Sequence, residues 1–171
     1  MITPLSIIAG FLSYAFVVIF IFRLFRVNYF NPIVKISATY LEPLSKSIFF
    51  FAPPLFASIA MALCLKFLSF YLAYGTGYEP LMLFYISVID TLNAFFRVLF
   101  YCVIGSVVLS WVAPGSNHPL LQIVEEVSGK ILGPIKNFIP PMGGLDFSPI
   151  VGLMGLNFIN TAFIQILSSM V

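Results

Sequence analysis

Four long apolar segments dominate the hydrophobic pattern of this chain. They cover about residues 5–22, 48–74, 81–112 and 148–170, and each is near or above the roughly 20 residues that a helix needs to cross a bilayer. The second segment contains Pro53-Pro54, so its helix should begin at or after that pair, because proline interrupts helical hydrogen bonding. The third segment is longer than one crossing requires, and we expect it to tilt or to project beyond the lipid. The pattern therefore predicts four transmembrane helices.

Two shorter segments, 32–48 and 119–135, have the spacing of amphipathic helices. Their apolar faces carry Ile33, Ile36, Tyr40, Leu44 and Ile48 in the first segment, and Leu120, Ile123, Val124, Val127, Ile131 and Ile135 in the second. Asn31 and His118 each precede a proline, which is typical of a helix start. We expect both helices to lie in the headgroup plane or against the bundle.

The same elements recur after a shift of 87 residues, which places Pro32 on Pro119 and Pro53-Pro54 on Pro140-Pro141. The repeating unit is a span, an amphipathic segment, a proline pair and a second span, at about 5–74 and about 81–171. Because each unit contains two spans, both units have the same orientation in the membrane. We therefore predict an all-α membrane protein with a single domain, residues 1–171, whose four transmembrane helices form two tandem helix–amphipathic helix–helix repeats.

Composition supports this class, because 61% of the residues are hydrophobic and 8% are charged, whereas a soluble domain has about 25% charged residues. A net charge of +2 gives no reason to expect a nucleic-acid partner. Six basic residues lie between spans one and two or between spans three and four: Arg23, Arg26, Lys35, Lys46, Lys130 and Lys136. The connection at 75–80 and both termini contain none. The positive-inside rule therefore predicts cytoplasmic amphipathic segments and N- and C-termini outside.

Polar residues inside the spans are candidates for function, since ionisable groups are costly in lipid. Ser87, Asp90, Asn93 and Arg97 share one stripe of the third span, Asn157, Asn160 and Gln165 share one of the fourth, and Lys66 lies in the second. Asp90 and Arg97 are too far apart for a direct bond, so Asn93 or Lys66 is a candidate bridge. This intramembrane network fits either a polar path for ions or solutes, or a clamp that holds the helices together.

The sequence GGLDFSP at 143–149 offers a second candidate site, formed by Gly143, Gly144, Asp146, Ser148 and Pro149. One interpretation is a loop that docks a partner or ligand at the membrane surface. The other is a chain break and helix cap, with the Asp146 carboxylate near the positive end of the last helix. The sequence leaves both interpretations open.

Two stretches of the second half, LSWVAPGSNHPLL (109–121) and GPIKNFIPPMGGLDFSPIV (133–151), resemble the signature of the YggT/YlmG family. The first half carries a weaker copy, and it has Glu42-Pro43 where the second has Gly129-Lys130. The resemblance implies a bacterial inner-membrane protein linked to osmotic-stress tolerance. It also implies plastid relatives tied to haem attachment in cytochrome b6 or to nucleoid distribution.

The chemistry-bearing residues do not suggest an enzyme. His118 is the single histidine, Cys64 and Cys102 lie in apolar runs, and no catalytic or metal-binding pattern is present. No cofactor is expected, and haem enters only through the plastid resemblance. We expect a non-enzymatic assembly or scaffold protein, linked to osmotic-stress tolerance or to envelope and division biogenesis. Its expected partners are the lipid bilayer and other membrane proteins or further copies of itself. The alternative is a small channel or transporter subunit for ions or osmolytes, acting as an oligomer.

Overall fold

The computed structural model of the chain describes residues 3–75, 77–113, 115–139 and 146–169. These residues form seven helices and no strand. The helices are α1 (Pro4–Leu24), α2 (Pro32–Tyr40), α3 (Glu42–Ile48), α4 (Pro54–Tyr74), α5 (Pro80–Val112), α6 (Pro119–Phe138) and α7 (Ser148–Ser168). The all-α fold class is thereby confirmed.

Four of these helices, α1, α4, α5 and α7, are long and apolar enough to cross a membrane. They match the four spans predicted from the sequence, and α4 begins at Pro54, within the proline pair. Thr3 caps α1, since its hydroxyl oxygen accepts a hydrogen bond from the Ser6 N–H at 3.2 Å. Proline near the first turn costs these helices nothing, because the first N–H groups of a helix have no partner within it.

The amphipathic segment at 32–48 differs from the sequence interpretation, because it forms two helices separated at Leu41. Pro43 lacks the N–H that would bond to the carbonyl one turn earlier, so a single continuous helix is interrupted there. In the other amphipathic segment Lys130 stands at the equivalent position, and α6 runs without a break from Pro119 to Phe138. Pro134 lies inside α6 without dividing it, so an interior proline does not by itself split such a segment.

The described chain divides into two compact units. The first contains residues up to Arg26 together with Val34–Phe95. Its core is the pair α1 and α4, where Phe16, Val17 and Ala62 are fully buried. Serine hydroxyls join the two helices: Ser13 donates to the Ala62 carbonyl at 2.8 Å, and Ser69 donates to the Ser6 carbonyl at 2.7 Å. Such small residues let transmembrane helices approach closely and bond across the contact.

The second unit contains Val27–Ile33 and the chain from Phe96 onward. Its buried residues include Val103 of α5 and Val127 and Leu132 of α6. Two of its residues join the 27–33 segment to α6: the Asn31 side-chain amide donates to the Pro119 carbonyl at 2.7 Å, and Asn28 N–H donates to Glu126 at 3.0 Å. The Asn31 side-chain Oδ1 atom also accepts the Ile33 N–H at 3.0 Å, so this residue caps α2 as its position before proline indicates.

The tandem repeat and the single-domain description both stay predictions. Helices α2 and α6 begin at Pro32 and Pro119, as the 87-residue shift requires, whereas α4 and α7 begin at Pro54 and Ser148. The two compact units do not coincide with the two repeats, because residues 80–95 of α5 belong to the first unit.

Candidate functional site

The clearest candidate site lies in the first unit, where Lys66 of α4 meets Asp90 of α5. The Lys66 ammonium nitrogen is 2.5 Å from the Asp90 Oδ2 atom, and the two side chains are 9% and 33% exposed. Two aromatic rings complete the surroundings of the ammonium group, with centroids 4.7 Å away for Tyr14 and 5.4 Å for Phe70. Lys66 therefore has a carboxylate and two ring faces as partners within a span.

This arrangement lowers the cost of placing two charges in the membrane. An isolated ammonium or carboxylate loses its hydration in lipid, but a close pair compensates much of that loss through mutual attraction. The quadrupoles of the Tyr14 and Phe70 rings add a further attraction to the cation, which is stronger where water is excluded. Chemically, the pair is suited to joining α4 to α5.

The other members of the polar network have different surroundings. The Ser87 hydroxyl donates to the Leu83 carbonyl at 2.6 Å, within its own helix. Asn93 is half-buried in the first unit. The remaining members belong to the second unit, where Arg97, Asn157 and Gln165 are exposed and Asn160 is half-buried. Lys66 and Asp90 are thus the two candidates that the structure joins by an ion pair.

A second charged cluster fixes α3 to the end of α1. Glu42 is buried, its Oε1 atom accepts a hydrogen bond from Arg23 Nε at 2.6 Å, and its other oxygen contacts Arg23 Nη2. Lys46 lies one turn along α3, with its nitrogen 3.8 Å from Glu42 Oε2. This two-pronged geometry between guanidinium and carboxylate is the strongest common form of an ion pair in proteins.

The apolar face of the 32–48 segment is exposed. Ile36, Tyr40, Leu44 and Ile48 are each 47–71% exposed. An amphipathic segment whose apolar side is turned away from its own unit suits insertion into the headgroup and acyl boundary. Of the two locations expected from the sequence, α2 and α3 therefore fit the membrane surface.

Helix α6 has the opposite arrangement. Ile123 and Val127 of its predicted apolar face are buried within the second unit, as is neighbouring Leu132, whereas Leu120 at the helix start is exposed. Gln122 and Glu125 of its polar face are exposed. Its start is capped by His118, whose Nδ1 atom accepts the Leu120 N–H at 3.3 Å. The helix therefore covers its own unit and presents polar side chains outward.

Asp146 lies just before α7. Its Oδ1 atom accepts hydrogen bonds from the Ser148 hydroxyl at 2.5 Å and the Ser148 N–H at 2.9 Å, and its Oδ2 atom is 3.0 Å from the Lys136 ammonium. These hydrogen bonds from Ser148, together with the Lys136 charge, lower the pKa of Asp146 below its ordinary value despite partial desolvation. Pro149 occupies the first turn of α7. Gly143 and Gly144, the other members of this candidate loop, lie outside the described residues.

Sequence reasoning missed Tyr14, Phe70 and the inward position of Glu42. A signal existed for Phe70, which lies four residues after Lys66 and hence on the same face of α4. A signal also existed for Glu42, the one acidic residue among the basic residues of 23–46. Within the described ranges, no group of three or more histidine, cysteine or acidic side chains is placed to hold a metal ion.

The fold and these sites define a multi-pass, α-helical membrane protein. A sequence model of the CCB3/YggT family matches residues 85–167. An uncharacterised protein of Pseudomonas aeruginosa is 34% identical over 160 residues, which cover 88% of this chain and 81% of the relative. The chain therefore belongs to the CCB3/YggT family, which confirms the resemblance found in its sequence.

Other relatives are more distant but similarly extensive. An uncharacterised protein of Haemophilus influenzae is 28% identical, with coverage of 85% of this chain and 81% of the relative. The uncharacterised protein YggT of Escherichia coli K12 is 24% identical, with coverage of 83% and 77%. No solved structure matches the chain.

Proposed function

We propose that this protein is a non-enzymatic assembly or scaffold protein of the bacterial inner membrane, with a role in osmotic-stress tolerance or in envelope and division biogenesis. The observation that carries the proposal is the Lys66–Asp90 pair. Its two charges neutralise each other at 2.5 Å, and Lys66 is buried. A charged pair used in this way supports helix packing better than it supports ion passage, which needs binding groups that water or a solute can reach.

The exposed faces of α2, α3 and α6 suit binding to lipid and protein partners at the cytoplasmic face of the membrane. The positions of the lysines and arginines favour cytoplasmic amphipathic helices and outside termini. In this orientation the apolar face of α2 and α3 enters the inner headgroup layer, and exposed Lys35 and Lys46 contact anionic lipids. The polar side of α6, with Gln122 and Glu125 exposed, is left to contact a protein partner. Asp146 and Lys136 extend the charged part of that surface.

A channel or transporter subunit is the second candidate. It is favoured by the exposure of Arg97, Asn157 and Gln165, three polar side chains within transmembrane helices. Polar side chains in spans often face a water-filled cavity. In this alternative, several copies together would enclose the path.

Flux through proteoliposomes separates the two candidates. Wild type and Asp90→Asn would be reconstituted at equal density, each with wild-type helical content, and tested with Na⁺, K⁺ and small neutral and zwitterionic osmolytes. The scaffold proposal expects both proteins to match protein-free liposomes. Wild-type flux that Asp90→Asn abolishes would overturn the scaffold proposal and favour the channel.

Photo-crosslinking in cells tests the partner surface directly. A photoreactive amino acid would replace Glu125 on the exposed side of α6, and Phe11 of α1, which is 76% exposed, would serve as the matched control. We expect a specific protein adduct from position 125 and lipid adducts from position 11. The absence of a protein adduct from 125 and from its neighbour Gln122 would contradict this surface.

A further inference from the structure

Helix α7 is packed far less than the other spans. Only 6% of its most apolar 18-residue window is buried, compared with 44% for α1. Its two buried residues, Ser148 and Gly152, both lie in its first turns, and no residue from 153 to 169 is fully buried. The greater part of this span therefore has a surface that the second unit leaves open.

One side of that surface has the spacing of a two-helix seam. This seam consists of Ile150, Met154, Asn157, Thr161, Ile164 and Ser168. Successive members are separated by four, three, four, three and four residues. Five of the six are exposed and Ile164 is half-buried. This alternation is the heptad pattern by which two helices pack with a left-handed supercoil. The seam spans almost the whole length of α7.

The contacts of α7 within its unit lie on the other side. A Cβ atom on Gly152 would lie 2.6 Å from Leu132 Cδ2 of α6, so the two helices meet closely there. The Phe163 ring lies 6.3 Å from the Phe96 ring of α5, measured between centroids. At 3.6 residues per turn, Gly152 is nearly opposite the seam and Phe163 is well away from it. The seam is therefore free for another helix while α7 keeps its position in the unit.

The polar members of the seam identify the kind of helix that would cover it. An exposed amide in the hydrocarbon region loses its hydrogen bonds to water, and lipid offers none in exchange. Asn157 and Thr161 are in the seam, Gln165 is beside it, and all three are exposed. From Phe147 to Val171 the chain has no charged residue. A neutral helix with its own amide and hydroxyl groups is thus the complementary surface.

We propose that α7 pairs with α7 of a second copy of this chain, across a twofold axis along the membrane normal. Two copies with the same membrane orientation present α7 in parallel, and twofold symmetry then places identical residues opposite one another. A carboxamide has both donors and acceptors, so Asn157 of each copy bonds to Asn157 of the other. The small side chains of Thr161 and Ser168 allow close approach. The dimer forms whether or not the protein acts as an assembly factor.

Disulfide crosslinking in native membranes tests the seam. In a Cys64→Ser/Cys102→Ala background with wild-type helical content, single cysteines would be placed by Asn157→Cys, Thr161→Cys and Ile164→Cys. The matched control is Ile159→Cys, an exposed position on the side away from the seam. Under mild oxidation we expect the seam positions to give a species of twice the 19.0 kDa chain mass, and position 159 to remain monomeric.

A second measurement uses the chain with both native cysteines and determines the strength of dimer formation. Energy transfer between donor- and acceptor-labelled full-length copies would give the dimer dissociation constant in bilayers for wild type and Asn157→Leu. We expect the substitution to raise that constant about 3- to 30-fold, from the usual strength of interhelical hydrogen bonds in membranes, with Gly155→Ala unchanged. Equal crosslinking at position 159, crosslinks only to other proteins, or monomers in both measurements would each overturn the proposal.

Discussion

Glu42 is buried in the first unit and binds Arg23 through both carboxylate oxygens, although it belongs to the most basic stretch of the chain. The pair joins the cytoplasmic-side end of α1, in the proposed orientation, to α3. On α3, Leu44 and Ile48 are exposed on the side away from this inward carboxylate. We therefore expect the orientation of α3 to depend on this inward carboxylate.

Glu42→Gln is expected to loosen α3 and to lower the free energy of unfolding by about 1.5–3 kcal/mol, the usual value of a hydrogen bond to a charged group. Thermal unfolding in a fixed detergent measures the change, and trypsin cleavage after Lys46 should become faster. Glu125→Gln on exposed α6 is the matched control and should change stability by less than about 0.5 kcal/mol. Equal effects of the two substitutions would show that the Arg23 pair contributes nothing.

Asp90→Asn is expected to destabilise the first unit, because it leaves the buried Lys66 ammonium without its counter-charge. Removing one partner of a fully buried pair costs about 3–5 kcal/mol. Since the Asp90 side chain is one-third exposed, we expect a value near or below the lower end of this range. The Lys66→Met/Asp90→Leu double variant should recover most of the loss. A double-mutant cycle with no coupling energy would contradict a structural role for the pair.

The four spans could be predicted from the sequence because their apolar runs are long and uninterrupted. The start of α4 could be predicted because a helix tolerates proline best in its first turn. The sequence was not sufficient for the direction in which the amphipathic segments face. The 32–48 and 119–135 patterns have similar periodicity, yet Ile36 and Tyr40 are exposed while Ile123 and Val127 are buried. The difference depends on tertiary contacts, such as the Glu42–Arg23 pair that holds α3, and periodicity carries no information about these.

The candidate site was predictable to a similar extent. The spacing of polar residues identified Asp90 as an ionisable group that is costly to place in lipid. It also made Lys66, in a neighbouring span, a candidate partner for it. It did not identify Tyr14, because α1 and α4 are joined by a long connection and the pattern does not specify which faces meet. The break at Leu41 does not follow from periodicity. It coincides with Pro43, which lacks an N–H, whereas Pro134 is tolerated inside α6.

Asp146 should make stability depend on pH in the acidic range. Its pKa in the folded protein is lowered from an ordinary value of 3.8 by the Ser148 hydrogen bonds and by Lys136. A lowered pKa means that its contribution is present in full above the unfolded value and is lost as pH falls through the folded value. The stability difference between wild type and Asp146→Asn should therefore be constant near neutral pH and shrink below about pH 4. Thermal unfolding between pH 7 and pH 3 measures it, and parallel curves would contradict the assignment.

Membrane orientation can be tested with reporter fusions. In the proposed orientation, alkaline phosphatase fused after residue 171 or inserted near residue 77 lies outside the cytoplasm and should be active. The same reporter inserted near Gly115 should be inactive, while a fluorescent protein at that position should be bright. The reversed pattern would show that the six basic residues between the spans do not set the topology.

Gly152 and Gly155 provide a matched test of how α7 packs on α6. Both lie in the first half of α7, but a Cβ atom at position 152 would lie 2.6 Å from Leu132 Cδ2 and 3.4 Å from Ile135 Cδ1, whereas one at 155 would have no described neighbour within 4 Å. Alanine favours the helix over glycine by up to about 1 kcal/mol, so Gly155→Ala should be neutral or stabilising. Gly152→Ala should instead destabilise by about 1–3 kcal/mol, since buried Leu132 has little room to move. Thermal unfolding of both variants in one detergent measures the difference, and equal stabilities would mean that α6 and α7 do not pack closely at Gly152.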